Sequence, residues 1–165
     1  MEHVVNDAVH QALALLAIDS PSGYTGKAAE YAYNQLKELG FDPQYSRKGA
    51  VLVNLTPHLP QEDGLLLLAH LDTLGGMVTR ITGDGRSPYD YSLTSQLIAA
   101  AQKSGADYAV DIFTNYGSDA DATLTAGYDI RHGLIGPGVF ASHGYERSHK
   151  KGVLSTLKLL DAFVG

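Results

Sequence analysis

The chain has 165 residues, no cysteine and a formal net charge of −6, with 44% hydrophobic and 18% charged residues. That length suits one domain with one core, and the acidic balance offers no basic patch to hold a nucleic-acid backbone. No apolar run approaches the roughly 18 residues of a membrane span, the N-terminus lacks the basic-then-apolar layout of a signal peptide, and the lack of Cys excludes disulfide and thiolate chemistry and fits a cytoplasmic setting.

Val5, Ala8, Val9, Ala12 and Leu16 recur at helical spacing, which predicts an amphipathic helix over about 3–17. Asp19-Ser20-Pro21-Ser22-Gly23 ends it with turn residues. A second helix follows, with Thr25 as N-cap, Ala28, Ala29, Ala32, Leu36 and Leu39 as its apolar stripe, and Gly40 as the stop. Residues 41–47 and 50–56 read as two strands joined at Lys48-Gly49, a hairpin, and 57–63 as a polar loop. Gly64 to Ala69 is almost pure Leu, the pattern of a strand buried on both faces, and it ends in His70-Leu71-Asp72. Residues 77–81 read as a short strand and 82–86 as a turn.

Ser87-Pro88 opens a new segment. Leu93, Leu97, Ala100 and Ala101 predict a helix stopped by Gly105, and 108–113 alternates as a strand. Ser118 is the expected N-cap of a short helix through Ala126, with Gly127 beyond it. Residues 129–135 read as another strand, which runs through Gly136-Pro137-Gly138 into a polar loop at 141–149. Val153, Leu157, Leu160 and Val164 mark a last helix. Strands alternating with helices in the second half predict a three-layer α/β/α sandwich with a mixed, mostly parallel sheet and no linker dividing it.

With no thiolate available, any metal site must use His and carboxylates. His70 and Asp72, at the carboxyl end of the expected buried strand, stand where ligands collect in open α/β sheets, and the carboxylate is placed to orient or supplement the imidazole. The structural alternative is that the two simply close the strand with hydrogen bonds. His143 follows another expected strand, and Glu146 is placed to orient it. The alternative there is a solvated loop with a local ion pair. For Asp119 and Asp121 the structural reading is the better one: both sit where acids favour a helix N-terminus. His3, His10, His58, His132 and His149 have no matched spacing and read as surface or packing residues. No Gly-x-Ser-x-Gly elbow and no dinucleotide fingerprint after the first strand is present.

Several stretches together carry a resemblance. These are Leu65 to Val78, Pro88-Tyr89-Asp90-Tyr91, Tyr116-Gly117-Ser118-Asp119-Ala120, Ile130 to Gly138, and Ser142-His143-Gly144-Tyr145-Glu146-Arg147. They resemble the motifs of the dinuclear metal-dependent glutamyl/leucyl aminopeptidase family, whose members often assemble into tetrahedral dodecamers. The resemblance implies an α/β/α catalytic domain interrupted by a dimerisation domain. It implies two divalent metal ions, zinc or cobalt, held by two His and three carboxylates, a Glu general base, and peptide substrates cut at the N-terminus. On it, His70 and His143 correspond to the two His ligands and Asp72 to the orienting carboxylate.

The same resemblance exposes a gap. Family members are about twice as long as this chain, and the stretch carrying the dimerisation domain, the bridging Asp, the Glu-Glu pair and the remaining carboxylate ligand has no counterpart here. No Glu-Glu or Asp-Asp dipeptide occurs. The ends on either side of that stretch would join near residues 85–88. The expectation is a truncated or minimal aminopeptidase domain, inactive or very weakly active, with a weak metal site at His70 and His143. Two other expectations stand beside it: a one-metal site without chemistry, and a non-catalytic scaffold that self-associates through an exposed sheet edge.

Overall fold

The computed structural model describes residues 2–21, 23–58, 64–73, 89–110 and 117–165. Its elements are α1 (Glu2–Leu16), α2 (Gly26–Glu38), β1 (Gln44–Tyr45), β2 (Val51–Leu52), α3 (Tyr91–Ser104), α4 (Asp119–Thr125), β3 (Val139–Phe140), β4 (Arg147–Ser148) and α5 (Lys150–Val164). The fold is therefore a mixture of helices and small sheets. The chain divides into two compact units, residues 11–79 and residues 1–10 with 80–165, and the division falls within α1.

Helix boundaries follow local chemistry. α2, α3 and α4 all end in the same hydrogen-bonded lock, the Schellman motif. In α2, Gly40 donates to the Lys37 carbonyl at 3.0 Å and Phe41 to the Leu36 carbonyl at 3.1 Å. In α3 the pair is Gly105 to Gln102 and Ala106 to Ala101, and in α4 it is Gly127 to Leu124 and Tyr128 to Thr123. The three glycines have φ of 89°, 64° and 87°, a left-handed backbone that a side chain disfavours. At its other end α3 is capped by Asp90, whose Oδ1 accepts from the Leu93 N–H at 2.7 Å. Thr25 is the N-cap of α2 by position but makes no side-chain capping bond.

In the unit of residues 11–79, Ala28 and Ala29 are buried on α2. Gln11 on α1 donates to Gln35 and accepts from the Tyr31 hydroxyl at 2.8 Å. β1 and β2 pair antiparallel, Gln44 with Leu52 and Tyr45 with Val51. The turn between them is closed by the Gly49 N–H on the Ser46 carbonyl, with Gly49 left-handed at φ 84°. The predicted hairpin is present, shorter than expected. Tyr45 stacks on Tyr33 of α2 with centroids 4.7 Å apart, and the Lys37 ammonium lies 5.8 Å from the Tyr33 centroid. The Tyr45 phenol is held above its usual range, first by desolvation and then by the nearby Glu30 carboxylate and Tyr33.

The expected doubly buried strand at 64–70 is not formed. The backbone there is irregular, and Leu65, Leu66, Leu67 and Leu68 are all at least half exposed. Such a strand needs a paired neighbour on each edge and cover on both faces. The ladder contact described here is an isolated parallel bridge between Pro21 and Thr73. It is reinforced by the Thr73 N–H on the Ser20 carbonyl at 2.8 Å and by the Ser20 hydroxyl on the Leu71 carbonyl at 2.9 Å. Ser20 is 1% exposed, so the predicted turn residue is a buried clasp.

In the unit of residues 1–10 and 80–165, α3 packs against α5, with Ala100 and Ala101 buried. Val5 of α1 is buried as well. After α3, the Asp107 N–H bonds Ser155 of α5 at 3.2 Å. The segment after α4 runs over α3: a Cβ on Gly133 would stand 3.1 Å from Leu97 Cδ1. Residues 129–135, expected as a strand, carry no ladder and remain irregular. So do 108–110, while 111–113 lie outside the described residues. β3 and β4 instead make a small antiparallel hairpin, Val139 with Ser148 and Phe140 with Arg147, around the expected loop.

Among the described residues, then, the sheets are two two-stranded antiparallel pairs, not the mostly parallel sheet of a three-layer sandwich. The expected strand at 77–81 and the expected junction at 85–88 lie outside the described residues. No described helix is long and apolar enough to cross a membrane.

Candidate functional site

His70 and Asp72 are brought together by the short chain between them. His70 Nδ1 lies 2.9 Å from the Asp72 carbonyl oxygen and 3.4 Å from its carboxylate Oδ1. Both oxygens accept, so in the neutral ring Nδ1 carries the hydrogen and Nε2 the lone pair. The imidazole is 76% exposed. This is the tautomer and the partner type that ligating histidines use, and it is equally the local hydrogen bonding of the structural alternative.

His143 stands at the tip of the β3–β4 hairpin. Ala141 and His143 are both left-handed, at φ 58° and 63°, and they are the described non-glycine residues with positive φ. Gly144 donates to the Ala141 carbonyl at 2.9 Å, and the His143 N–H donates to Glu146 Oε1 at 2.9 Å. Glu146 therefore does meet His143, through the main chain. His70 and His143 belong to different units of the chain.

Ser118, Asp119 and Asp121 stand where the structural reading puts them, at the start of α4. The Ser118 N–H donates to Asp121 Oδ2 at 2.6 Å across the first turn of the helix. The other oxygen, Oδ1, lies 3.3 Å from His132 Nε2. His132 is 6% exposed, its ring meets Tyr89 edge-on at 5.1 Å, and its carbonyl accepts from the Asp90 N–H. Nε2 is buried without a well-directed hydrogen bond, so the Asp121 contact is electrostatic in character. The packing role read for His132 holds, but no spacing in the sequence marks its carboxylate partner, which lies across the turn that ends α4. His149 is tied down differently: its Nδ1 accepts from the Lys151 N–H at 3.1 Å and caps α5, which leaves the hydrogen on Nε2 of the neutral ring.

Three or more ligating side chains do not converge anywhere among the described residues. The individual donors are chemically apt, since imidazole suits zinc and similar ions. The described residues do not, however, assemble the two-metal centre that the resemblance implies. An open cavity of about 420 Å³ lies beside the start of α2, lined by Tyr24, Lys27, Glu30 and Lys48 among others, and includes neither His70 nor His143.

Residues 82–159 match the sequence profile of the M42 glutamyl aminopeptidases. The chain is 49% identical over 81 residues to the putative aminopeptidase YhfE of Bacillus subtilis (strain 168), a match covering 49% of this chain and 23% of that relative. It is 31% identical over 72 residues to a glutamyl aminopeptidase of Lactococcus lactis subsp. cremoris (strain MG1363), covering 44% of this chain and 20% of the relative. The matches thus span about a fifth of the length of these curated relatives. No solved structure matches the chain. Over the stretch that carries α3, α4 and the hairpin bearing His143, the chain is similar to the M42 glutamyl aminopeptidases.

Proposed function

We propose that this chain is a partial metal-dependent aminopeptidase domain, directed at peptide N-termini by descent, that does not turn peptides over efficiently by itself. The observation that carries the reading is the family match over residues 82–159 with His143 inside it. His70 and His143 would supply one imidazole each toward divalent metal, zinc or cobalt, with Asp72 fixing the tautomer of His70. A metal in such a site supplies water activation and carbonyl polarisation. That chemistry also needs a bridging carboxylate and a general base, and the absence of a Glu-Glu pair from the sequence supports the lack of turnover. The three-layer sandwich belongs, on this reading, to the complete catalytic domain, with the junction of its two ends near residues 85–88.

The test is hydrolysis of an aminoacyl p-nitroanilide by the full chain with zinc or cobalt added, alongside His70→Ala and His143→Ala. The expected result is no turnover above the metal blank. Turnover that disappears in both variants would establish a working site and overturn the inactive reading.

The exposed run Leu65 to Leu68 favours a second reading, a non-catalytic module that self-associates. A strictly monomeric species in size-exclusion chromatography with light scattering would count against it.

A further inference from the structure

The tip of the β3–β4 hairpin carries more backbone strain than a surface turn of this size requires. Two L-residues, Ala141 and His143, occupy the left-handed region two positions apart, each disfavoured by contact between its own Cβ and carbonyl. Such conformations persist where surrounding bonds over-determine them, and they collect at working sites. Gly144, between His143 and the second strand, is not itself among the positive-φ residues. Both strained residues thus lie on the side of the tip that presents His143.

Among the bonds described, three run within this tip. Gly144 N–H reaches the Ala141 carbonyl at 2.9 Å, Glu146 N–H reaches the Gly144 carbonyl at 3.1 Å, and Glu146 Oε1 receives the His143 N–H at 2.9 Å. The first two are backbone bonds that any sequence could make. The third comes from a side chain, and it attaches to the strained residue itself. Below the tip, the ladder of Val139–Phe140 with Arg147–Ser148 is held by the Ser148 hydroxyl on the Gly138 carbonyl at 2.9 Å and by the Arg147 guanidinium 5.5 Å from the Phe140 ring. The strands fix where the turn begins and ends, but they do not select a left-handed His143 within it.

We propose that Glu146 is a positioning residue: its carboxylate oxygen, bound to the main-chain N–H of His143, sets the left-handed backbone from which the His143 side chain is presented, and it does so without metal. The importance of His143 rests on the aminopeptidase reading above, but the positioning itself does not. A bond to an ionised acceptor is worth more than a neutral one, and it is directional enough to select one backbone basin for the residue that donates to it.

The experiment is NMR on the full chain, metal-free, comparing the parent with Glu146→Ala and Glu146→Gln. In the parent, a strong intraresidue HN–Hα NOE at His143 should report the left-handed backbone, and its amide should exchange at least roughly tenfold more slowly than in the alanine variant. Glu146→Gln keeps an oxygen acceptor and should restore most of the protection. Amides of α3 and α5 serve as the folding control and should not change in either variant. An unprotected His143 amide in the parent, or an intraresidue NOE and exchange rate unchanged in Glu146→Ala, overturns the proposal. So does loss in both variants alike, or recovery of the alanine variant on adding zinc, since the metal would then be setting the backbone. Because these readouts need neither turnover nor metal binding, failure of the catalytic reading leaves them standing, and their failure leaves the catalytic reading to its own assay.

Discussion

Single side chains in this molecule act mainly by closing local backbone. Asp90 accepts the Leu93 N–H at 2.7 Å, so Asp90→Ala should lower stability by about 1 kcal/mol, as loss of an N-cap does, measured as a shift in urea midpoint. Asp121 does two jobs where Asp119 is exposed: it caps α4 and faces the buried His132. Asp121→Ala should therefore destabilise clearly more than Asp119→Ala, and a cycle with His132→Ala should show non-additivity, because the two residues share one contact. Tyr45 gives a pH prediction. Its phenol is raised in the folded chain, chiefly by desolvation, so its contribution is fully present below the ordinary tyrosine value of about 10. That contribution is lost as pH rises through the folded value. Unfolding followed between about pH 8 and 11 should show an alkaline loss of stability that is smaller in Tyr45→Phe.

At the scale of elements, what is legible in the sequence is what is local. The helices lie where the sequence places them, with boundaries within a residue or two, because a stripe at 3.6-residue spacing and a terminal glycine are both written within one segment. The Schellman ends make this testable. Gly105 has φ 64° and open space where a Cβ would stand, so Gly105→Ala should cost about 1–2 kcal/mol from the left-handed backbone alone. Thermal unfolding would measure it. Sheets are less legible for the complementary reason. The Leu run at 65–68 and the expected strand at 129–135 record a need for cover and a β-compatible composition, but pairing depends on residues far away in sequence. The hairpin carrying His143 is hidden because its strands are two residues each, too short for any periodicity. The candidate site shares this split. The His70–Asp72 and His143–Glu146 contacts span two and three residues and can be anticipated, while the His132–Asp121 contact bridges separate segments and cannot.

At the scale of the whole molecule, the unburied leucines make the strongest demand. Leu66 is 70% exposed, and Leu65, Leu67 and Leu68 are half exposed. Apolar surface gains roughly 25 cal/mol per Å² when covered, so this run should drive association as concentration rises. Light scattering across a concentration series should show species larger than the monomer, and Leu66→Asp should shift the distribution toward monomer. Substitution at so exposed a position should leave the monomer's own stability within about 0.5 kcal/mol, which separates a solubility effect from unfolding.

The Ser20 clasp sets an order of events in folding. It joins segments 51 residues apart in sequence, through the Ser20 hydroxyl on the Leu71 carbonyl and the Thr73 N–H on the Ser20 carbonyl. Closing a loop of that length costs chain entropy on the order of 3–4 kcal/mol, whereas the helices around it close loops of only a few residues. The helices can therefore form in about a microsecond or less, while the clasp waits on a long search. The clasp is therefore expected to close after the helices of its unit, so His70 and Asp72, which flank the Leu71 carbonyl it grips, should take their final positions later than the helices do.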